Sequence, residues 1–200
     1  LSSHDKIIIL ITSIFFLSVI EKNERSIGEA PMDDLDPRIR TALVSVNPTA
    51  EHPAYHGAPT ALGVLRGVKA KVSVWRAYPE ANNIREIALH MAIHENAVAN
   101  RLSGKNELVG LKMWKFGWVE RLEGVDEEHW KGEIELIRAI HERLVGAVTS
   151  FDPGRLDQFV GKKTVIPAVE YIHGIAEHSL YHTAQIETFK TLAKLQGVVG

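Results

Sequence analysis

Val169–Lys190, VEYIHGIAEHSLYHTAQIETFK, decides how the rest of the chain is read. It places two histidines, His178 and His182, one helical turn apart inside an apolar pattern. At about 100° per residue, Tyr171, Ile175, His178, His182, Gln185 and Phe189 fall within roughly a third of a helix circumference. Two imidazoles at i and i+4 on one helix face can reach a common ion. The stretch therefore reads as half of a metal site on a long final helix, with the other half on an earlier helix.

The composition narrows what such a site can be. The 200 residues are 45% apolar and 24% charged, enough for one globular domain with its own core. Cysteine is absent, which excludes a disulfide scaffold, a thiolate nucleophile and a Cys-type zinc site. His and carboxylates remain as the strong ligands, and the chain holds 10 histidines. A formal net charge of −2 with scattered Lys and Arg gives no cationic surface, which argues against a nucleic-acid partner. The lack of cysteine suits a reducing, cytoplasmic setting.

Working outward, four more helices are predicted. Asp36–Val46 forms a short helix. Residues 47–59, with Pro48, Pro53, Gly57 and Pro59, form a loop. Thr60 is then a candidate cap for a helix carrying Leu62, Val64, Leu65 and Val68, although Gly63 and Gly67 weaken it. Asn82 or Asn83 caps the next long helix, whose stripe is Ile84, Ile87, Met91, Val98 and Leu102, and Gly104 ends it. On its flank lie His90 and His94, again one turn apart. Residues 104–125 make a connection rich in glycine and aromatics, long enough for a lid or an interface, with Trp114, Phe116 and Trp118. Asp126 opens a third long helix with Trp130, Ile134, Ile137, Leu144 and Val148 as its stripe, and Asp152-Pro153-Gly154 breaks it. Thr164 caps the final helix, Pro167 sits in its first turn, and the helix continues to about Leu195 before Gly197. No segment alternates like a strand, so the expected class is all-α, a four-helix bundle.

The N-terminus does not fit this scheme. Ile7–Ile20 is apolar except for Thr12, Ser13 and Ser18, shorter than the ~20 residues of a membrane span. It has the length of a signal-peptide core, but Glu21, Lys22, Glu24 and Arg25 come directly after it without a clean cleavage site. The expectation is an extension over residues 1–31 and then the helical domain over 32–200. Export or membrane anchoring through 7–20 is the alternative.

Among the other candidates, His141 falls within the third helix's stripe and reads as a partly buried histidine with one hydrogen-bond partner. His173 points away from the His178 and His182 pair. Glu170 and His173 form a single Glu-x-x-His, and without a second copy a di-iron site is not expected. Glu86, one turn before His90, and Glu177 beside His178 read as surface charges, with orientation of an imidazole as the alternative. Spacing alone does not choose between His90 and His94.

Taken together, Ile175-Ala176-Glu177-His178-Ser179-Leu180-Tyr181-His182-Thr183-Ala184-Gln185 and Ile84-Arg85-Glu86-Ile87-Ala88-Leu89-His90 resemble the DinB-like (YfiT-like) metal-binding superfamily. The resemblance extends to Ala54-Tyr55-His56-Gly57-Ala58-Pro59 and Tyr171-Ile172-His173-Gly174, and spans roughly residues 50–190. It implies a four-helix bundle in which His90, His178 and His182 hold nickel or zinc, with His94 a neighbour of the site. It further implies an open coordination position at which the metal activates water or a low-molecular-weight thiol, as in thiol transferases or hydrolases acting on a small-molecule substrate, and a homodimer. Gln185, one turn beyond His182, is then expected to hydrogen-bond a bound ligand. A non-catalytic metal-binding or structural helical bundle is the alternative.

Overall fold

The structure is a computed structural model that describes residues 31–48, 59–106, 117–161 and 165–198. The chain divides into Leu1–Leu35 and Asp36–Gly200. Of the first unit, residues 31–35 are described and carry a 3-10 turn, Met32–Asp34. The second unit holds α1 (Pro37–Val46), α2 (Ala70–Ser73), α3 (Ile84–Ser103), α4 (Glu127–Thr149) and α5 (Ala168–Leu195). Among the described residues there is no strand, and the class is all-α as expected. None of these helices is long and apolar enough to cross a membrane. Ile7–Ile20, Tyr55–Ala58, Trp114, Phe116 and Thr164 lie outside the described residues.

Local chemistry sets the ends of these helices. Asp36 and Asp126 cap α1 and α4 by accepting from Arg38 N (2.8 Å) and His129 N (2.7 Å). Asn83 forms a full capping box with Glu86 on α3: Asn83 Oδ1 accepts from Glu86 N at 2.9 Å, and Glu86 Oε2 accepts from Asn83 N at 3.2 Å. Gly104, left-handed at φ 69°, ends α3.

Two expectations about helix starts are corrected. Thr60 accepts from Gly63 N at 2.8 Å, but the chain then makes only a 3-10 turn, Gly63–Leu65. Gly67, at φ 75°, turns the chain out of the helical path while Val64, Leu65 and Val68 are still buried. Pro167 stands at the N-cap of α5 rather than inside its first turn, and it has no side-chain cap. The first amides of α5 are satisfied by the preceding connection instead: Ala168 N donates to Gln158 O and Val169 N to Leu156 O, both at 2.9 Å.

The core gathers on α3. Fifteen of its 20 residues are buried, and it packs against both α4 and α5; α1 packs against the same two helices. Trp130 of α4 is buried, and its Nε1 donates to Val68 O at 2.8 Å, tying the 3-10 turn region to α4. The predicted stripes of α3 and α4 are buried, with Ile134 only partly so.

On α5 the buried stripe is Ile172, Ile175, Ser179, His182, Thr183 and Ile186. Its centre lies roughly 80° round from His178 at about 100° per residue. His182 is therefore inside the packed face and His178 at its edge, half-buried.

Candidate metal centre

Four imidazoles meet where α3 faces α5. From α3 come His90 and His94, with ring centroids 4.4 Å apart. From α5 come His178 and His182, 4.5 Å apart. The two pairs are in mutual contact: His90 lies 5.2 Å from His178 and 4.9 Å from His182, and His94 lies 4.6 Å from His178. The ligand atoms of His90, His94 and His178 all lie within 4.8 Å of one another, so these three could hold a metal ion. His182 joins them through its Nε2, 3.2 Å from His178 Nε2. That spacing is close to the ~3.3 Å edge of a tetrahedron with 2.0–2.1 Å metal–nitrogen bonds.

The tautomers are set by the neighbours. Gly117 O accepts from His90 Nδ1 at 3.1 Å, and Gln185 Oε1 accepts from His182 Nδ1 at 2.7 Å. A carbonyl can only accept, so each Nδ1 carries the proton and each Nε2 lone pair is directed elsewhere. Gln185 is itself held by its Nε2, which donates to Tyr181 Oη at 2.9 Å. Each end of the Gln185 amide thus makes one hydrogen bond within α5. With His182 Nε2 bare, the 3.2 Å contact requires His178 Nε2 to carry the proton in the metal-free chain. His178 Nδ1 is then a bare lone pair, buried with no hydrogen-bond partner.

Burial pushes His90 and His178 down to about 4, and His182 also downward, with neighbouring imidazoles adding repulsion in each case. These three imidazoles are therefore neutral at pH 7, as nitrogen ligands must be. These observations fit a divalent ion: imidazole nitrogens gathered from two helices, with carbonyls orienting two of the rings.

Gly117 was not expected to matter. It comes directly after the undescribed residues 107–116, has φ 76°, and presents its carbonyl to His90. A Cβ there would lie 2.9 Å from His94 Nε2. Trp118 next to it stacks on His90, centroids 4.0 Å apart and planes 8° from parallel. The aromatic composition of 104–125 hinted at a functional connection, but nothing in it pointed to the His90 ring.

The remaining candidates lie elsewhere. His141 Nδ1 contacts Glu95 Oε2 at 3.1 Å, a buried pair, which matches the one-partner reading. Burial alone would lower His141, but the hydrogen bond and charge of Glu95 outweigh it and raise its pKa. Ser179 Oγ donates to the other Glu95 oxygen at 3.2 Å. Glu86 is neither a surface charge nor a partner of His90: it is 1% exposed and pairs with Arg76 at 2.5 and 2.8 Å. Glu177 is exposed, and His173 is not part of the cluster. Tyr171 lies beneath the Arg101 guanidinium, 5.1 Å from its centroid, and Phe189 packs on the core.

No protein-family model matches the chain, and neither curated proteins nor solved structures give a match.

Proposed function

We propose that the chain is a divalent-metal-dependent enzyme with the four-helix bundle of the DinB-like type, in which His90, His178 and His182 hold nickel or zinc. The observation that carries the reading is the orientation of His90 and His182 by two separate carbonyls, Gly117 O and Gln185 Oε1, with His178 against both rings. An isolated pair of core histidines has no need of such matched constraints. The helix packing, with α1 and α3 each set against α4 and α5, supports the bundle.

The ion, when bound, would lower the pKa of a coordinated water or low-molecular-weight thiol, supplying a nucleophile for a small electrophilic substrate. The protein's own part is positional. Gly117 and Gln185 hold two imidazoles in the ligating tautomer, Trp118 covers one face of His90, and Tyr181 Oη accepts from the Gln185 amide. Among the described residues no carboxylate takes part in the histidine cluster, so a bound divalent ion keeps its full charge to polarise a ligand.

The test is elemental analysis of protein purified without added metal, beside His178→Ala. Stoichiometric nickel or zinc in the wild type and its loss in the variant are expected. A wild type free of divalent metal that also fails to take it up would overturn the proposal. A chelator that lowers the melting temperature, with no thiol-transfer or hydrolytic turnover from metal-loaded protein, would instead identify a structural metal site.

A further inference from the structure

We infer that His94 is a fourth nitrogen ligand, so that the resting centre is closed by four imidazoles and an incoming thiol or water must take the place of one of them. This rests on the metal-centre reading above and adds its regulation.

Among the described residues, the set of three whose ligand atoms all lie within 4.8 Å of one another contains His94 rather than His182. His90, His94 and His178 form that set, and His182 adjoins it through the 3.2 Å contact of its Nε2 with His178 Nε2. The His178 ring centroid lies 4.6 Å from that of His94 and 4.5 Å from that of His182. His94, one helical turn from His90 and with a nitrogen within 4.8 Å of both His90 and His178, is placed to reach the same ion.

Backbone placement around His94 points the same way. Gly117 runs so close to the ring that a Cβ would meet Nε2 at 2.9 Å and Ile93 Cγ2 at 3.3 Å. Its φ of 76° also favours glycine. The same residue presents its carbonyl to His90. One glycine thus sets the positions of both α3 imidazoles.

Closure has a chemical consequence. Four neutral imidazoles satisfy a tetrahedral ion and leave no position for water, so the ion is protected until a stronger ligand competes. A thiolate is softer and more strongly donating than imidazole towards zinc, cobalt or nickel, whereas water is weaker. The resting site would therefore exclude water and admit a thiol, which selects the thiol branch of the proposed chemistry over hydrolysis.

The experiment is Co(II) substitution of the full chain, read by visible absorption and X-ray absorption, for the wild type, His94→Ala, His94→Gln and Gly117→Ala. Expected for the wild type are four imidazole scatterers, a spectrum unchanged by azide, and a sulfur-to-cobalt charge-transfer band on adding a small mercaptan. His94→Ala and His94→Gln, shown by circular dichroism to be folded, should have three imidazoles and one oxygen. They should respond to azide and bind cobalt at least roughly tenfold more weakly, the lower end of what loss of a group supporting a ligand costs. Gly117→Ala should shift the wild-type spectrum towards that of the His94 variants. A wild type with three imidazoles and one oxygen, or His94 variants spectrally identical to it, would overturn the inference while leaving the three-histidine centre standing. Failure of the wild type to bind cobalt at all would overturn both.

Discussion

Gln185 shows how much a single side chain contributes to this centre. Its carbonyl decides which His182 nitrogen carries the proton, and its amide nitrogen donates to Tyr181 Oη. Gln185→Ala should weaken metal binding by roughly 10- to 100-fold, the usual effect of removing a group that orients a ligand. Gln185→Glu, which still accepts from Nδ1, should retain most of the affinity; isothermal titration with zinc measures both, and equal losses would show that Gln185 does not act through His182. The imidazoles also predict a pH response of the metal-free chain. His90 and His178 titrate at about 4 when folded, against 6.5 unfolded. The unfolded state therefore binds more protons between these values, and stability present above pH 6.5 is lost as the pH falls towards 4. The melting temperature of metal-free protein should drop between pH 7.5 and 5, and the drop should shrink in His178→Gln.

At the scale of elements, α3 carries the largest share of the constraints. Its N-terminus is fixed twice, by the Asn83–Glu86 capping box and by the Arg76–Glu86 ion pair. Asn83→Ala should cost about 1 kcal/mol, the ordinary value of a cap. Arg76→Ala should cost about 3 kcal/mol or more, because it leaves the Glu86 carboxylate, 1% exposed, without its partner. Urea unfolding compares the two, and a cap effect exceeding the Arg76 effect would mean the ion pair is replaceable by water. Arg85 of the same helix is likewise buried against Glu133 of α4, with contacts of 2.5 to 3.0 Å. These pairs bury charge along a helix whose sequence stripe is apolar, and periodicity does not reveal them. The helices themselves were legible because caps and breakers are local: Asp36, Asn83, Asp126 and Gly104 all act where they stand in the sequence.

At the scale of the whole helical unit, Glu95 links three helices by accepting from Ser179 of α5 and pairing with His141 of α4. The network lies beside the imidazole cluster along the chain, since Glu95 is next to His94 and Ser179 next to His178. Glu95→Ala should therefore lower both stability and metal affinity, by leaving His141 and Ser179 without an acceptor and loosening α3 against α5. Thermal unfolding with and without zinc checks this; a loss of stability with unchanged zinc affinity would show that the two clusters are independent. Metal should itself raise the melting temperature of the wild type, because an ion held by α3 and α5 together binds the folded chain alone.

The sequence by itself determined the helical class, the helix termini that depend on local caps, and the candidacy of the two histidine pairs, His90 with His94 and His178 with His182, because i,i+4 spacing and capping chemistry are written within one turn of the chain. Only the tertiary structure decided what surrounds those histidines. His94 stands as close to His178 as His182 does, Gly117 meets His90 from 27 residues away, and Gln185 faces His182 rather than open space. Such contacts depend on how α3 and α5 are rotated about their own axes, and that rotation is set by the core packing of both faces, not by the pattern of either one. The placement of His182 within the packed face and of His178 at its edge comes from the same rotation.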